Sequence, residues 1–358
     1  MISNLDTKHN YLTTFKAMGI ILMVVGHSGC PEYLDRLIYN FHMPLFFFAS
    51  GYFFHLNGDT KSFVVKRIKG LYLPYVKWGI AFLLLHNILF EIGIYNGQYG
   101  YNGNVFHAYD FHEYIVRFCF VVFTMDKHEP MLGGFWFLKT LFLASIMVRI
   151  LVKLVSYLVE NKKIVITFLL CLLGLLITKY FEINFPYVGN LSIIFFGAVF
   201  YLIGYGYRRI EKDSFYQWYY LFVSGTVLLI FTSAYHPLSM YCNFDDVFMY
   251  IIIACNGMYS TLGICYHLEK KGWGLYYIGK NTMQILALHV LSFKIVSLCV
   301  ILLYALPTEM LSEFPVIKCH QEISWPFYSL VGISLPLLVK VEYSKMKSYL
   351  NNICYNKR

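Results

Sequence analysis

Long apolar runs alternate along the chain with short polar breaks, and the breaks hold most of the charge. This pattern predicts ten membrane-crossing helices, at about 12–29, 38–56, 71–94, 133–156, 163–180, 188–207, 216–235, 247–267, 282–305 and 324–341. Each is close to the ~20 apolar residues that a helix needs to cross a bilayer. The runs are continuous rather than alternating, which excludes an outer-membrane barrel. A further apolar run at 113–123 is too short to cross and reads as an interfacial or re-entrant segment.

Composition agrees with the pattern. Of 358 residues, 58% are hydrophobic and only 14% charged, with a mean hydropathy of +0.55. A soluble chain carries about a quarter charged residues. The net charge of +9 follows from how the cations are distributed. With the N-terminus in the cytoplasm, only Arg36, Arg117, Lys127, Lys179 and Lys318 of the 29 lysines and arginines fall outside. Lys16, Lys77, Lys139 and Lys294 fall within spans, and the remaining twenty face the cytoplasm. The positive-inside rule therefore places both termini there.

The expected fold class is all-α integral membrane, with about ten transmembrane helices and both termini cytoplasmic. A single domain covers 1–358, embedded from about 12 to 341, with 342–358 as a cytoplasmic tail. The positive-inside rule accounts for the basic charge, so no nucleic acid partner is expected. No internal repeat is visible, which argues against an inverted-repeat transporter. The nine cysteines form no CxxC pair and imply neither a disulfide framework nor a zinc site. The first apolar run lacks a basic leader and contains Lys16 and His27, so no cleavable signal peptide is expected.

Ionisable side chains inside such runs are costly and usually have a job. The first run, TFKAMGIILMVVGHSGC (14–30), carries Lys16 and, eleven residues on, His27. Eleven steps of about 100° come close to whole turns, so both groups share one helix face, roughly 16 Å apart along the axis. Lys16 then lies near the cytoplasmic side and His27 near the outer side. His42, just before Pro44, lies at a depth similar to that of His27, so the two rings can approach each other. Pro44 makes a kink or a late helix start plausible, and Ser50 with Gly51 permits close helix approach.

Neutral imidazole can take a proton from a hydroxyl near pH 7, which makes His27 and His42 the catalytic candidates. The alternative is a structural histidine bonded to a neighbouring helix. Lys16 can either snorkel to the interface or bind a phosphate, joined by Lys66, Arg67 and Lys69. Trp136 and Lys139 open the fourth span, and Asn281 with Thr282 reads as the N-cap of the ninth, which also carries His289 and Lys294. No HxxxH or HxxE pair is present, so no metal is expected. The outside segment at about 95–132 offers aromatic, amide and histidine groups (His107, His112 and His128 among them) that could contact a sugar.

Five segments stand in order along the chain: FKAMGIILMVVGHS (15–28), FHMPLFFFASGYFF (41–54), VKRIKGLYLPY (65–75), FWFLKTLF (135–142) and IGKNTMQILALHV (278–290). This ordered set resembles the membrane acyltransferase-3 family. The resemblance implies transfer of an acyl group, most often from cytoplasmic acetyl-CoA, to a hydroxyl of an extracytoplasmic sugar or polysaccharide. His27 matches the family's base. Lys16 matches a basic residue that is usually Arg, and Gly70 stands where another Arg often follows Lys66, Arg67 and Lys69. Trp136, Lys139, Asn281 and His289 complete the expected substrate-binding set; Lys139, Asn281 or a backbone N–H could stabilise the oxyanion. The expected co-substrate is acetyl-CoA, and the expected location is a cell membrane, by implication a bacterial cytoplasmic one. The alternatives are a polysaccharide exporter or flippase, which would need a wide polar path, and a non-catalytic scaffold.

Overall fold

The computed structural model describes residues 2–99, 105, 107–126, 129–241, 245–268 and 273–356. His128, expected in the outer loop, lies outside the described residues. The helices are α1 (Ile2–His27), α2 (Glu32–Tyr39), α3 (His42–Tyr52), α4 (Thr60–Arg67), α5 (Leu73–Glu91), α6 (Phe111–Cys119) and α7 (Trp136–Leu158). They continue with α8 (Lys163–Tyr180), α9 (Leu191–Ile210), α10 (Trp218–Ala234), α11 (Val247–Leu268), α12 (Trp273–Lys280), α13 (Thr282–Tyr304) and α14 (Gln321–Asn356). A two-residue hairpin pairs Asn184–Phe185 with Gly189–Asn190 between α8 and α9.

Among the described residues, seven stretches are long and apolar enough to cross a membrane: Thr60–Glu91, Pro130–Leu158, Lys163–Tyr180, Leu191–Ile210, Val247–Leu268, Thr282–Tyr304 and Gln321–Tyr349. Tyr11–His27 and Trp218–Ala234 are shorter apolar helices. The run expected as the second span is broken instead. Phe41 (φ −150°, ψ −13°) interrupts the helix, and α3 covers only eleven residues. That is about 16 Å of helix, half the thickness of a hydrocarbon core. Pro44 falls in the first turn of α3, where its missing N–H has no intrahelical partner to lose. The run at 113–123 folds as α6 and a following π-helical turn to Thr124, with none of α6 buried.

Contacts at the helix ends fix their relative directions. Tyr11, early in α1, meets Tyr52 at the end of α3 and donates to Glu211, just after α9. Gly279, just before α13, packs against the carbonyl of Thr13. At the far end of α1, Gln321, which opens α14, donates to the Gly29 carbonyl at 2.8 Å. The bundle therefore has a Tyr11 end and a His27 end. Helices α3 and α9 approach so closely that a Cβ at Gly51 would penetrate the Tyr201 carbonyl and one at Gly204 the Phe48 carbonyl. Small residues at such a crossing let backbones meet.

Candidate active site

One cavity of about 800 Å³ runs beside α1. Its size falls within the ~300–1,000 Å³ usual for small-molecule sites. Lys16 and His27 both line it, as the eleven-residue spacing requires of one helix face. So do His42 and Ser50 from α3, Arg67 from α4, Trp136 and Phe137 from α7, and Thr282 and Leu286 from α13. Three connecting segments complete the wall at the His27 end, through Gly133–Gly134, Ser239 with Tyr241, and Phe314–Val316 with Lys318. Among the described residues, the lining contains basic side chains and no carboxylate.

Arg67 is braced rather than loose. Its guanidinium donates to the Ser50 hydroxyl at 2.9 Å and the Tyr201 hydroxyl at 2.8 Å, and it lies over the Phe63 ring at 5.0 Å. A fork held this way presents its remaining donors in a fixed direction. The π-helical turn Ile68–Tyr72 follows directly, and Gly70 in it lines the cavity with open space where a Cβ would stand. Such a turn inside a helix often marks a functional position. At the other end Trp136 and Tyr241 pair with centroids 4.8 Å apart, at a tilt of 36°.

The histidines are held by defined partners. His27 Nδ1 lies 3.0 Å from His289 Nε2, and the two rings stack at 5.2 Å with 23° between planes. His289 Nδ1 in turn lies 3.1 Å from the Ile285 carbonyl and 3.0 Å from that of Leu286. His42 Nδ1 donates to the Ile38 carbonyl at 2.9 Å, while its ring stands edge-on to Tyr39 at 4.9 Å. His27 and His42 therefore share the cavity, but the ring partner of His27 is His289.

The other expected residues are placed as follows. Lys66 and Lys69 are exposed and do not line the cavity. Lys139 points away from it and donates to the Tyr187 carbonyl at 2.7 Å, beside two small separate pockets. Asn281 precedes α13 but makes no capping bond; its amide donates back to the Tyr277 carbonyl at 2.8 Å. Lys139 and Asn281 thus stand outside the cavity that holds His27, because each side chain is occupied by a nearby backbone carbonyl. His289 reaches the site only through His27.

Several participants carry no sequence pattern of their own. Tyr241, Lys318 and Tyr201 come from connecting segments or from a helix face that only packing brings to the cavity. Lys294 is 4% exposed and donates to the Glu313 carbonyl at 2.6 Å, anchoring the segment whose next residues, Phe314–Val316, form cavity wall. Its one sequence signal is a lysine inside an apolar run.

A family model described as an acyltransferase domain matches residues 9–339. No curated protein and no solved structure matches the chain.

Proposed function

The chain belongs to the acyltransferase-3 family and is a multi-pass membrane acyltransferase; on that premise we propose that it moves an acetyl group from cytoplasmic acetyl-CoA to a hydroxyl of an extracytoplasmic sugar or polysaccharide. The observation that carries this reading is the single cavity lined by Lys16 and Arg67 towards the Tyr11 end and by His27 and His42 at the other. The Tyr11 end is the cytoplasmic one in this proposal, in line with the bias of lysine and arginine.

A cavity lined by Lys16 and Arg67 favours a ligand rich in phosphate. Lys16 supplies a point charge and Arg67 a braced fork, and these hold the phosphates of the donor. The roughly 16 Å between Lys16 and His27 matches the reach of an extended pantetheine arm, so the thioester arrives beside His27. The acceptor enters from the opposite mouth, where the Trp136–Tyr241 pair offers apolar ring faces to a sugar.

The chemistry balances without a further reactant. His27 takes the hydroxyl proton as the acceptor oxygen forms a bond to the thioester carbonyl carbon. The carbon–sulfur bond then breaks, and the proton passes from His27 to the departing thiolate, giving the acetyl ester and free CoA. His42, whose Nδ1–H is used by Ile38, turns its lone pair on Nε2 to the same reaction and orients the acceptor hydroxyl. Lys139 and Asn281 stand outside the cavity, so neither is placed to stabilise the oxyanion.

The test is mass spectrometry of surface glycan from cells with and without the gene, with total secreted glycan measured alongside. Loss of O-acetyl groups at unchanged glycan yield is the expected outcome. Unchanged acetylation would overturn the reading. The family match names acyl transfer and lends no support to the exporter alternative.

A further inference from the structure

The hydrogen-bond chain behind His27 has only one polarity. Carbonyl oxygens accept and cannot donate, so the Nδ1 of His289, 3.1 and 3.0 Å from the carbonyls of Ile285 and Leu286, carries a hydrogen. In a neutral ring the lone pair is then on Nε2. That atom is 3.0 Å from His27 Nδ1, which must therefore be the donor. The basic lone pair of His27 is thereby assigned to Nε2. The opposite tautomer of His289 would turn a lone pair on Nδ1 towards two carbonyl oxygens and repel both.

The surroundings of His289 suit this task. The ring is 0% exposed and does not line the cavity, so it touches no substrate. Phe293, one turn on, closes it edge-on at 5.7 Å and 88°. Phe293 is itself wedged against Gly332 of α14. The ring cannot rotate away without opening this packing, so the polarity set by the α13 backbone is passed to α1.

We infer that His289 is the positioning residue of the reaction: it fixes the tautomer and orientation of His27 and stabilises the imidazolium that His27 becomes. The inference rests on the reading of His27 as the base. When His27 gains a proton on Nε2, its Nδ1–H becomes a charge-assisted donor to His289, a bond about twice as strong as a neutral one. A carboxylate has this place in the serine-protease triad, and holding the wrong tautomer there costs about 10⁴ in kcat. Here the role falls to a second neutral ring, itself oriented by backbone.

Two substitutions test it, with acetyl-CoA as donor and the producing cell's own surface glycan as acceptor. His289→Phe keeps the ring and removes the acceptor nitrogen. Its kcat is expected to fall about 10²–10⁴-fold with the KM for acetyl-CoA nearly unchanged. His289→Gln puts an amide oxygen opposite His27 Nδ1 and amide hydrogens near the two carbonyls, and is expected to recover most of the lost kcat. If the phenyl ring prevents folding, His289→Met takes its place in the comparison. Wild-type kcat in the Phe or Met variant, or a Gln variant no better than either, overturns the inference. His27→Ala, measured in parallel, separates the two claims: an active His27→Ala removes the base reading itself. An inactive His27→Ala beside a fully active His289→Phe removes only the positioning role.

Discussion

Two histidines of this chain, His27 half-buried and His86 fully buried, have opposite surroundings. His27 has an imidazole behind it, with its Nδ1 3.0 Å from His289. His86, in α5, has a carboxylate: its Nδ1 lies 3.1 Å from Glu129 and its Nε2 3.3 Å from the His107 carbonyl. Both nitrogens of His86 face oxygen atoms, so the ring turns neither of them to a cavity. Its ring stacks on Tyr109 with centroids 3.3 Å apart, Tyr95 also donates to Glu129 at 3.1 Å, and the ring lines no part of the central cavity. Burial alone therefore does not mark a catalytic histidine. What matters is whether the partners leave a lone pair, and whether that lone pair stands at a cavity. His86 and Glu129 clip together α5 and the segments around 107 and 129, just before the 3₁₀ turn Pro130–Phe135 that leads to Trp136. His27 has the cavity and the tautomer for proton transfer.

The sharpest way to break this contrast is a double-mutant cycle at the ring pair. His27→Ala is expected to lower turnover by about 10²–10⁴-fold. Adding His289→Phe to it should cost almost nothing more, because residues that act as a unit are strongly non-additive. Steady-state rates of the four proteins check this, and independent, additive losses would contradict the paired arrangement.

Next in size are the donor-end cations. Lys16→Met or Arg67→Met removes a charge-assisted bond and is expected to raise the KM for acetyl-CoA by about 10–100-fold, with kcat little changed. Arg67→Lys should recover only part of this, because it cannot bond Ser50 and Tyr201 while pointing further donors into the cavity. A kcat defect without a KM defect would move these residues away from the donor.

At His86 the expected loss is stability rather than chemistry. His86 and Glu129 are 0% and 3% exposed, so His86→Phe leaves a buried carboxylate that has lost its ring partner. The expected cost is about 3–5 kcal/mol, read as a lower melting temperature in detergent, and replacing both partners (His86→Phe with Glu129→Leu) should restore much of it. Turnover per folded molecule should stay within about twofold of wild type. A large fall in kcat at unchanged melting temperature would erase the distinction between the two histidines. The smallest effect belongs to Lys139→Met, expected within about twofold of wild type in both kcat and KM, since Lys139 stands outside the cavity.

The sequence makes some of this legible and hides the rest for physical reasons. The placement of Lys16 and His27 on one face depends only on helical periodicity, so it could be read without any tertiary knowledge. The tight crossing at Gly51 and the short segment at 113–123 are similarly local, one set by residue size and the other by length. The partner of His27 is different. His42 is the near neighbour in sequence and depth, but which ring turns towards His27 depends on how α13 packs against α1, and no periodicity encodes that. The break at Asn40–Phe41 shortens an apolar run that hydropathy alone reads as one crossing helix. Lys139 and Asn281 look available along the chain, yet each is taken by a carbonyl, at Tyr187 and Tyr277 respectively, and one of these lies 48 residues away. For the histidine of ALHV the usable signal was an ionisable ring within an apolar run, which points to a role without saying which.

The central claim is that His27 removes a proton from the acceptor at the moment of transfer, and a single-turnover label experiment addresses it most directly. Wild type and His27→Ala are loaded with radiolabelled acetyl-CoA and mixed with the glycan acceptor. The expected result is label on glycan for wild type and label still on CoA for His27→Ala, with equal donor binding by both. Label reaching the glycan at the wild-type rate in the variant, or held covalently on the protein in either, would contradict direct attack assisted by His27.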